Sequence, residues 1–354
     1  MKLRNASVAP LQATTKVPYS AAGRGNMNTN KQETVKVMEA GGVEILSLVD
    51  NSVDFLSAAN RKEVQPFRQW TKNRHGQEWA RTHVELPFAE HGFSILIHIL
   101  REGKSHYILF DTGISSEGVV KNAERMGINL NEAECVVLSH GHYDHFGGLL
   151  SALKAINKDD LPVIVHEDMF KKRGTATPNG EIRVYPEFPA KELARLAKIV
   201  ETKQSFLLAE GTVVVTGEIP RETSFERGYA QHKVFTNGSW QPDPWIRDDR
   251  AIVINVKGKG LVIVSGCAHA GIINTVHYAQ QVTGVKSVYA VMGGFHLAGK
   301  EFEKRIKPSV EELKRINPEL IVPSHCTGWR AMCALAEALP DAFVWNSVGN
   351  LYQL

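Results

Sequence analysis

The chain has 354 residues, 43% of them hydrophobic and 22% charged, and a formal net charge of +3. That length buries a substantial core, and the composition is ordinary for a globular enzyme. So small a charge leaves no nucleic-acid footprint, and no apolar run reaches the roughly 18 residues of a membrane span. The four cysteines, Cys135, Cys267, Cys326 and Cys333, are too few and too scattered for a disulfide framework. They point to reduced thiols in a cytoplasmic protein.

Residues 1–36 carry Lys2, Arg4, Lys16, Arg24 and Lys31, no acidic residue before Glu33, and no apolar period. A disordered N-terminal extension is expected there, followed by one domain over 37–354. Strands are expected over residues 44–49, 94–100, 106–110, 135–139, 163–166, 212–216, 251–256, 261–265, 287–292 and 320–322. Lys257-Gly258-Lys259-Gly260 reads as the turn of a hairpin. Helical periods run through 191–203 (Leu193, Leu196, Ala197, Val200), 303–316 (Ile306, Val310, Leu313) and 331–339. Residues 170–190 and 221–249, rich in Pro, Gly and charge, read as long inserted loops.

The most informative run is Ser139-His140-Gly141-His142-Tyr143-Asp144-His145-Phe146-Gly147-Gly148, directly after the apolar Cys135–Leu138. A strand ending in such a loop directs His140 and His142 at one metal ion and Asp144 and His145 at a second. Imidazole with carboxylate suits zinc first, with iron, manganese or nickel as alternatives.

These residues resemble the His-x-His-x-Asp-His signature of the metallo-β-lactamase superfamily. Leu109-Phe110-Asp111-Thr112-Gly113, the run Val262–Gly271, and Ile321–Gly328 resemble its other motifs, in order. A narrower likeness rests on Leu48–Asn51, Glu90–Ser94, Gly266–Gly271, Gly293–Leu297 and His325–Gly328. It is to a subgroup similar to the archaeal 7,8-dihydropterin-6-methyl-4-(β-D-ribofuranosyl)aminobenzene-5'-phosphate synthases of methanopterin biosynthesis.

The resemblance implies an αββα sandwich, two mixed β-sheets with helices on both outer faces, holding two divalent metal ions. It implies His325 as the last ligand and Asp111 as a brace for the metal loop. Where members carry a bridging aspartate this chain offers Cys267, with His269 two residues on, and His269 is the favoured ligand. Where most place a third histidine, Glu218 stands, with His166 as a weaker candidate. His296, after Gly293-Gly294-Phe295, is read as a substrate-facing residue or proton donor, and Asp144 as both ligand and catalytic residue.

The expected activity is metal-dependent hydrolysis of an ester, lactone or phosphodiester. The alternative is a transferase that forms a C–N bond, as the synthase likeness implies. The expected partner is a small molecule, phosphorylated or pterin-bearing in the alternative, with Phe295, Trp240, Trp245 and Trp329 offered as a stacking wall. No nucleic acid or membrane partner is expected, and the oligomeric state is left open.

Overall fold

The computed structural model describes residues 34–354, so the expected extension falls outside the described residues except for its last three positions. Val35 already donates its backbone N–H to Val282 O (2.7 Å). From there on, two sheets form the centre of the domain. One contains, in spatial order, Lys198–Glu201, Pro162–Val165, Cys135–Val137, Lys104–Phe110, Ser94–Arg101, Gly42–Val49, Leu351–Gln353 and Val64–Gln65. The other contains Phe206–Leu208, Val213–Val215, Ala251–Val256, Gly260–Ser265, Val288–Gly294 and Leu320–Ser324, with Glu39–Ala40 added beside Ala251–Val256.

Side-chain alternation explains the layering. In Ser94–Arg101, Ile95, Ile97 and Ile99 point to a cluster between the sheets, shared with Ile252, Ile254, Val262 and Val264. Leu96 points the other way, with Trp70, Val119, Leu149 and Leu193, into helices on the outer face. Val253, Ile263 and Val291 likewise pack beneath Ile272–Thr283, Ile306–Ile316 and Trp329–Ala338. Each such aliphatic side chain contributes about 1.5–3 kcal/mol when fully buried. The result is the expected αββα sandwich.

The expected hairpin is present, with Ala251 opposite Ser265 and Val256 opposite Gly260. Two expectations need correction. The helix over 191–203 is instead Ala190–Leu196 followed by a strand, Lys198–Glu201, parallel to Pro162–Val165. The β-branched Ile199 and Val200 complete an open sheet edge there, a tertiary pairing that overrides the helical period. The two inserted loops are also not irregular throughout. Arg173–Ala176 and Ile182–Val184 from the first pair with His232–Thr236 and Ser239–Pro242 from the second, giving a separate four-stranded antiparallel sheet.

Strands Lys104–Phe110, Cys135–Val137 and Pro162–Val165 are mutually parallel, as are Gly260–Ser265, Val288–Gly294 and Leu320–Ser324. Parallel neighbours bring their carboxyl ends to one edge, where α/β proteins collect ligand-binding loops. Asp111, the 139–145 loop, Cys267, His296 and His325 each follow one of these ends.

Candidate metal centre

The centre begins at Asp111, whose backbone lies in the left-handed region (φ 58). Its carboxylate accepts Ser139 N and Ser139 Oγ, both at 2.7 Å, and meets His145 Nδ1 at 2.6 Å. With Nδ1 engaged, the ring of His145 turns Nε2 towards Cys267 Sγ, 3.1 Å away. Such a carboxylate fixes both tautomer and orientation of an imidazole, as expected for a brace. Ser139 Oγ also contacts His140 Nδ1 at 2.9 Å, and His140 Nε2 lies 3.0 Å from His142 Nδ1. The loop is held from below at Gly147, where an added Cβ would fall 1.9 Å from Ile114 O.

A second anchor reaches the loop from the inserted sheet. Gly141 N, between the two histidines, donates to Asp248 Oδ2 (2.7 Å), and Asp248 forms a two-pronged buried ion pair with Arg173 (2.7 and 2.6 Å). Arg173 holds the Asp248 carboxyl well below the usual range, against burial that raises it. From the other sheet, Ala270 N donates to Asp249 Oδ2 (2.8 Å), fixing the turn that carries Cys267 and His269. His325 is set by Asp50, which accepts its N–H at 2.7 Å, and by Asn51 Oδ1, 3.0 Å from its Nδ1. Its Nε2 lies 3.3 Å from Asp144 Oδ2, and His91 Nε2 approaches the same oxygen at 3.4 Å.

Ligand atoms converge in overlapping sets whose members lie within 4.8 Å of one another: His140, His142 and His269; His140, His145 and Cys267; Cys267, His269 and His296; Cys267, His325 and Cys326; and His91, Asp144 and His325. His142 Nε2 and His269 Nε2 are buried without any hydrogen-bond partner. Burial, reinforced by neighbouring histidines, pushes His140, His142 and His269 well below the ordinary value and takes His325 down to about 4. These imidazoles are therefore neutral near pH 7, the form that offers a lone pair to a metal. Burial opposes protonation of His145 too, yet the Asp111 and Asp144 carboxylates raise it. Orphaned imidazole nitrogens, one carboxylate and two thiols together fit a divalent transition metal and suit calcium or magnesium poorly.

The structure thus gathers His140, His142, Asp144, His145, Cys267, His269 and His325, and brings His269 and Cys267 into the cluster together. Glu218 does not join them. Gly217 (φ 71) turns the chain after Val213–Val215, and the Glu218 carboxylate faces His166 Nε2 (3.4 Å) and Arg247 (3.7 Å). His269 takes the place beside His140 and His142. Gly293 and Gly294 pack on the backbone of Ser265 and Gly266, so their missing side chains admit a neighbouring strand rather than a ligand.

The stacking wall is also corrected. Phe295 is core, Trp240 packs on Phe235 of the inserted sheet, and Trp329 pairs with Trp345 in an outer groove of about 460 Å³. The rings beside the cluster are instead Tyr185, 5.3 Å from His142, and Phe302, 4.4 Å from His296. Tyr229 touches both Phe302 (5.1 Å) and His232 (5.0 Å). His232, buried and only 5.5 Å from His269, had no signal in the sequence, since it arrives on a strand of the inserted sheet. His91, whose spacing in the sequence suggests a surface or structural role, and Cys326 also stand in ligand sets; the motifs Glu90–Ser94 and His325–Gly328 that contain them are the available hint.

Among the described residues no helix is long and apolar enough to cross a membrane. A family profile, Metallo-beta-lactamase superfamily, matches residues 89–273. The 7,8-dihydropterin-6-methyl-4-(beta-D-ribofuranosyl)-aminobenzene-5'-phosphate synthase of Methanocaldococcus jannaschii is 34% identical over 272 residues, covering 75% of this chain and 90% of the relative. An uncharacterized protein of that organism is 32% identical over 267 residues, covering 75% and 93%. A solved metal-dependent hydrolase of the beta-lactamase superfamily shares the fold with a TM-score of 0.66 at 23% identity, covering 88% of this chain and 98% of that one. Signature loop, sandwich and matches agree: the chain belongs to the metallo-β-lactamase superfamily, in a subgroup resembling that synthase.

Proposed function

We propose that this protein is a metal-dependent transferase that joins the 6-methyl carbon of an activated dihydropterin to the nitrogen of an aminobenzene carrying a ribofuranosyl phosphate. The observation that carries this reading is the 34% identity to the synthase across 90% of its length. The likeness to a hydrolase, at 23% identity, speaks for the fold alone. Two planar substrates also suit a wall of Tyr185, Tyr229 and Phe302, all partly exposed beside the cluster.

His140, His142 and His269 would hold one ion; Asp144, which lies 4.0 Å from His145 Nε2 and 3.3 Å from His325 Nε2, would hold a second with those two histidines, and Cys267 lies near members of both groups. When bound, zinc or a similar divalent ion supplies Lewis acidity towards the oxygens of a phosphorylated leaving group. In the reaction the amine lone pair forms the C–N bond, the C–O bond to the activating phosphate breaks with its electron pair, and the amine releases one proton.

His296 and His232 are the groups placed to take that proton or to hydrogen-bond the substrate. Each has a buried Nδ1 with no partner. Burial lowers His296 to about 3 and His232 to about 4, so both are neutral near pH 7. This changes the role expected for His296: a neutral imidazole accepts a proton or donates a hydrogen bond, but is no imidazolium acid.

A second reading, hydrolysis of an ester, lactone or phosphodiester, is favoured by one feature. His91, 60% exposed, opens the Asp144–His325 side of the cluster to water. Zinc-loaded protein incubated with a dihydropterin methyl diphosphate and the aminobenzene ribofuranosyl phosphate should give the joined product by mass spectrometry. Hydrolysis of esters, lactones or phosphodiesters without any joined product would replace the transferase reading with the hydrolase one.

A further inference from the structure

The transferase substrates carry phosphate at two places, and the ions of the cluster would take only the leaving one. The other calls for a cation elsewhere on the rim. Three arginines around the cluster are already committed. Arg173 is held by Asp248 and Asp243. Arg250 is fully buried and donates to the carbonyls of Leu138 and Ile164. Arg221 donates to the carbonyls of Ile219, Trp245 and Ile246.

Arg305 is placed differently. It is half-buried at the end of the short helix Glu303–Arg305, and its Cζ stands over the Phe302 ring, 4.8 Å from the centroid. Phe302 meets His296 at 4.4 Å and Tyr229 at 5.1 Å. A guanidinium thus lies one ring away from the histidine placed to meet the amine. Its Nη2 donates to the carbonyls of Arg227 and Gly228. Among the described residues no carboxylate pairs with it, and the N–H groups of Nε and Nη1 are left free. Glu226, the acid whose charge it feels, is turned instead to Ile273 N, Asn274 N and Thr223 Oγ1 (2.8–3.1 Å), and burial pushes it up to about 7. The turn that holds Arg305 is itself fixed. Tyr229 N donates to Pro244 O (2.7 Å), and an added Cβ at Gly228 would fall 2.1 Å from that oxygen. The guanidinium is therefore in place before any ligand arrives, which lowers the entropy lost on binding.

We propose that Arg305 binds the ribosyl phosphate of the aminobenzene substrate, with the benzene ring along Phe302 and Tyr229 and its amine towards His296. The ligand class is a phosphate monoester on an aromatic riboside, and its identity rests on the transferase reading. A guanidinium stays charged at every working pH, and its N–H groups make charge-assisted bonds to phosphate roughly twice as strong as neutral ones. A mere clamp on the 227–229 turn would treat the phosphorylated and dephosphorylated ligands alike.

The test is calorimetric titration of zinc-loaded, full-length protein with the aminobenzene ribofuranosyl phosphate, the same riboside without its phosphate, and inorganic pyrophosphate. The wild type should prefer the phosphate to the riboside by about 10–100-fold, the span of a hydrogen bond to a charged group. Arg305→Gln should lose most of that preference, with riboside affinity, pyrophosphate affinity and zinc content unchanged. Arg305→Lys keeps the charge without the planar fork and should lose about threefold or more. Should Arg305→Gln fail to fold, the Arg305→Lys titrations decide, and a preference equal to the wild type's there would overturn the proposal. Equal losses for phosphate and riboside would reduce Arg305 to a clamp and overturn it. A loss confined to pyrophosphate would assign Arg305 to the leaving group and overturn it as well. So would a wild type that binds neither form, or both equally. Joined product from wild-type protein whose preference survives in Arg305→Gln would sink this inference and leave the transferase reading standing. A preference lost in Arg305→Gln, without joined product from the wild type, would overturn the transferase reading and leave the phosphate subsite.

Discussion

Asp248→Ala tests whether the inserted sheet holds the metal loop. Asp248 is fully buried, meets both terminal nitrogens of Arg173 at 2.6–2.7 Å, and accepts the N–H of Gly141 between His140 and His142. Removing one partner of a buried ion pair costs about 3–5 kcal/mol, because the remaining charge is stranded. Here Asp243, 3.2 Å from Arg173 Nε, still compensates part of that charge, which argues for the lower end. The orphaned Gly141 N–H adds about 1–3 kcal/mol. A total of about 4 kcal/mol should lower the melting temperature by roughly 8 °C, taking about 2 °C per kcal/mol for a domain this large. Arg173→Met with Asp248→Ala should cost less than the two single changes summed, by at least about 1.5 kcal/mol, since no charge is then left buried alone. Metal affinity should also fall by about 10–100-fold, the usual effect of removing a group that orients ligands. The assay is thermal unfolding of metal-free protein for the wild type, both single variants and the double variant, with zinc affinity measured alongside. Additive losses would refute the coupling, and unchanged zinc affinity would refute the link from sheet to loop.

His269→Ala and His325→Ala should each reduce bound metal from two ions per chain towards one, read by elemental analysis; unchanged content would remove that residue from the ligand set. His296→Ala should keep both ions and lose about 10²–10⁴-fold in turnover. Loss of metal in that variant would make His296 a ligand. Metal-free protein should lose stability as pH falls below about 6.5, because burial holds His325, His296 and His232 at about 4, 3 and 4 when folded. The unfolded chain then binds protons that the folded chain refuses, at about 1.4 kcal/mol per pH unit for each such histidine. Urea midpoints that stay flat between pH 6.5 and 4 would refute this.

Much of the candidate centre was legible because its candidate ligands follow strands directly. His140, His142, Asp144 and His145 sit in one loop after Cys135–Val137, and His325 comes one residue after Leu320–Ser324. Period-two apolar patterning placed those strands, and the strand ends placed the ligands. The Glu218 expectation failed where position along the chain was used in place of backbone direction: Gly217 turns the carboxylate towards His166. The sequence favours His269 over Cys267, and the structure brings both into the cluster. Between them Ala268 lies in the left-handed region (φ 53), and no residue type at that position announces it.

Asp248 reads in the sequence as a solvated charge before a strand and is instead fully buried; His232 and Arg173 were illegible for a different reason. Two segments some sixty residues apart read separately as polar loops, and only their pairing with one another turns them into a sheet. In that sheet His232 lies opposite Thr175, and Val234 opposite Arg173. The pairing carries an imidazole to the rim of the cluster, while Arg173 two positions further along clamps Asp248 and, through it, Gly141. The element that brings Tyr185 and His232 over the centre is thus the same one that fixes the spacing of His140 and His142. A change in the insertions that moved Tyr185 or His232 would therefore also disturb the loop that carries His140 and His142, unless the Arg173–Asp248 pair were kept.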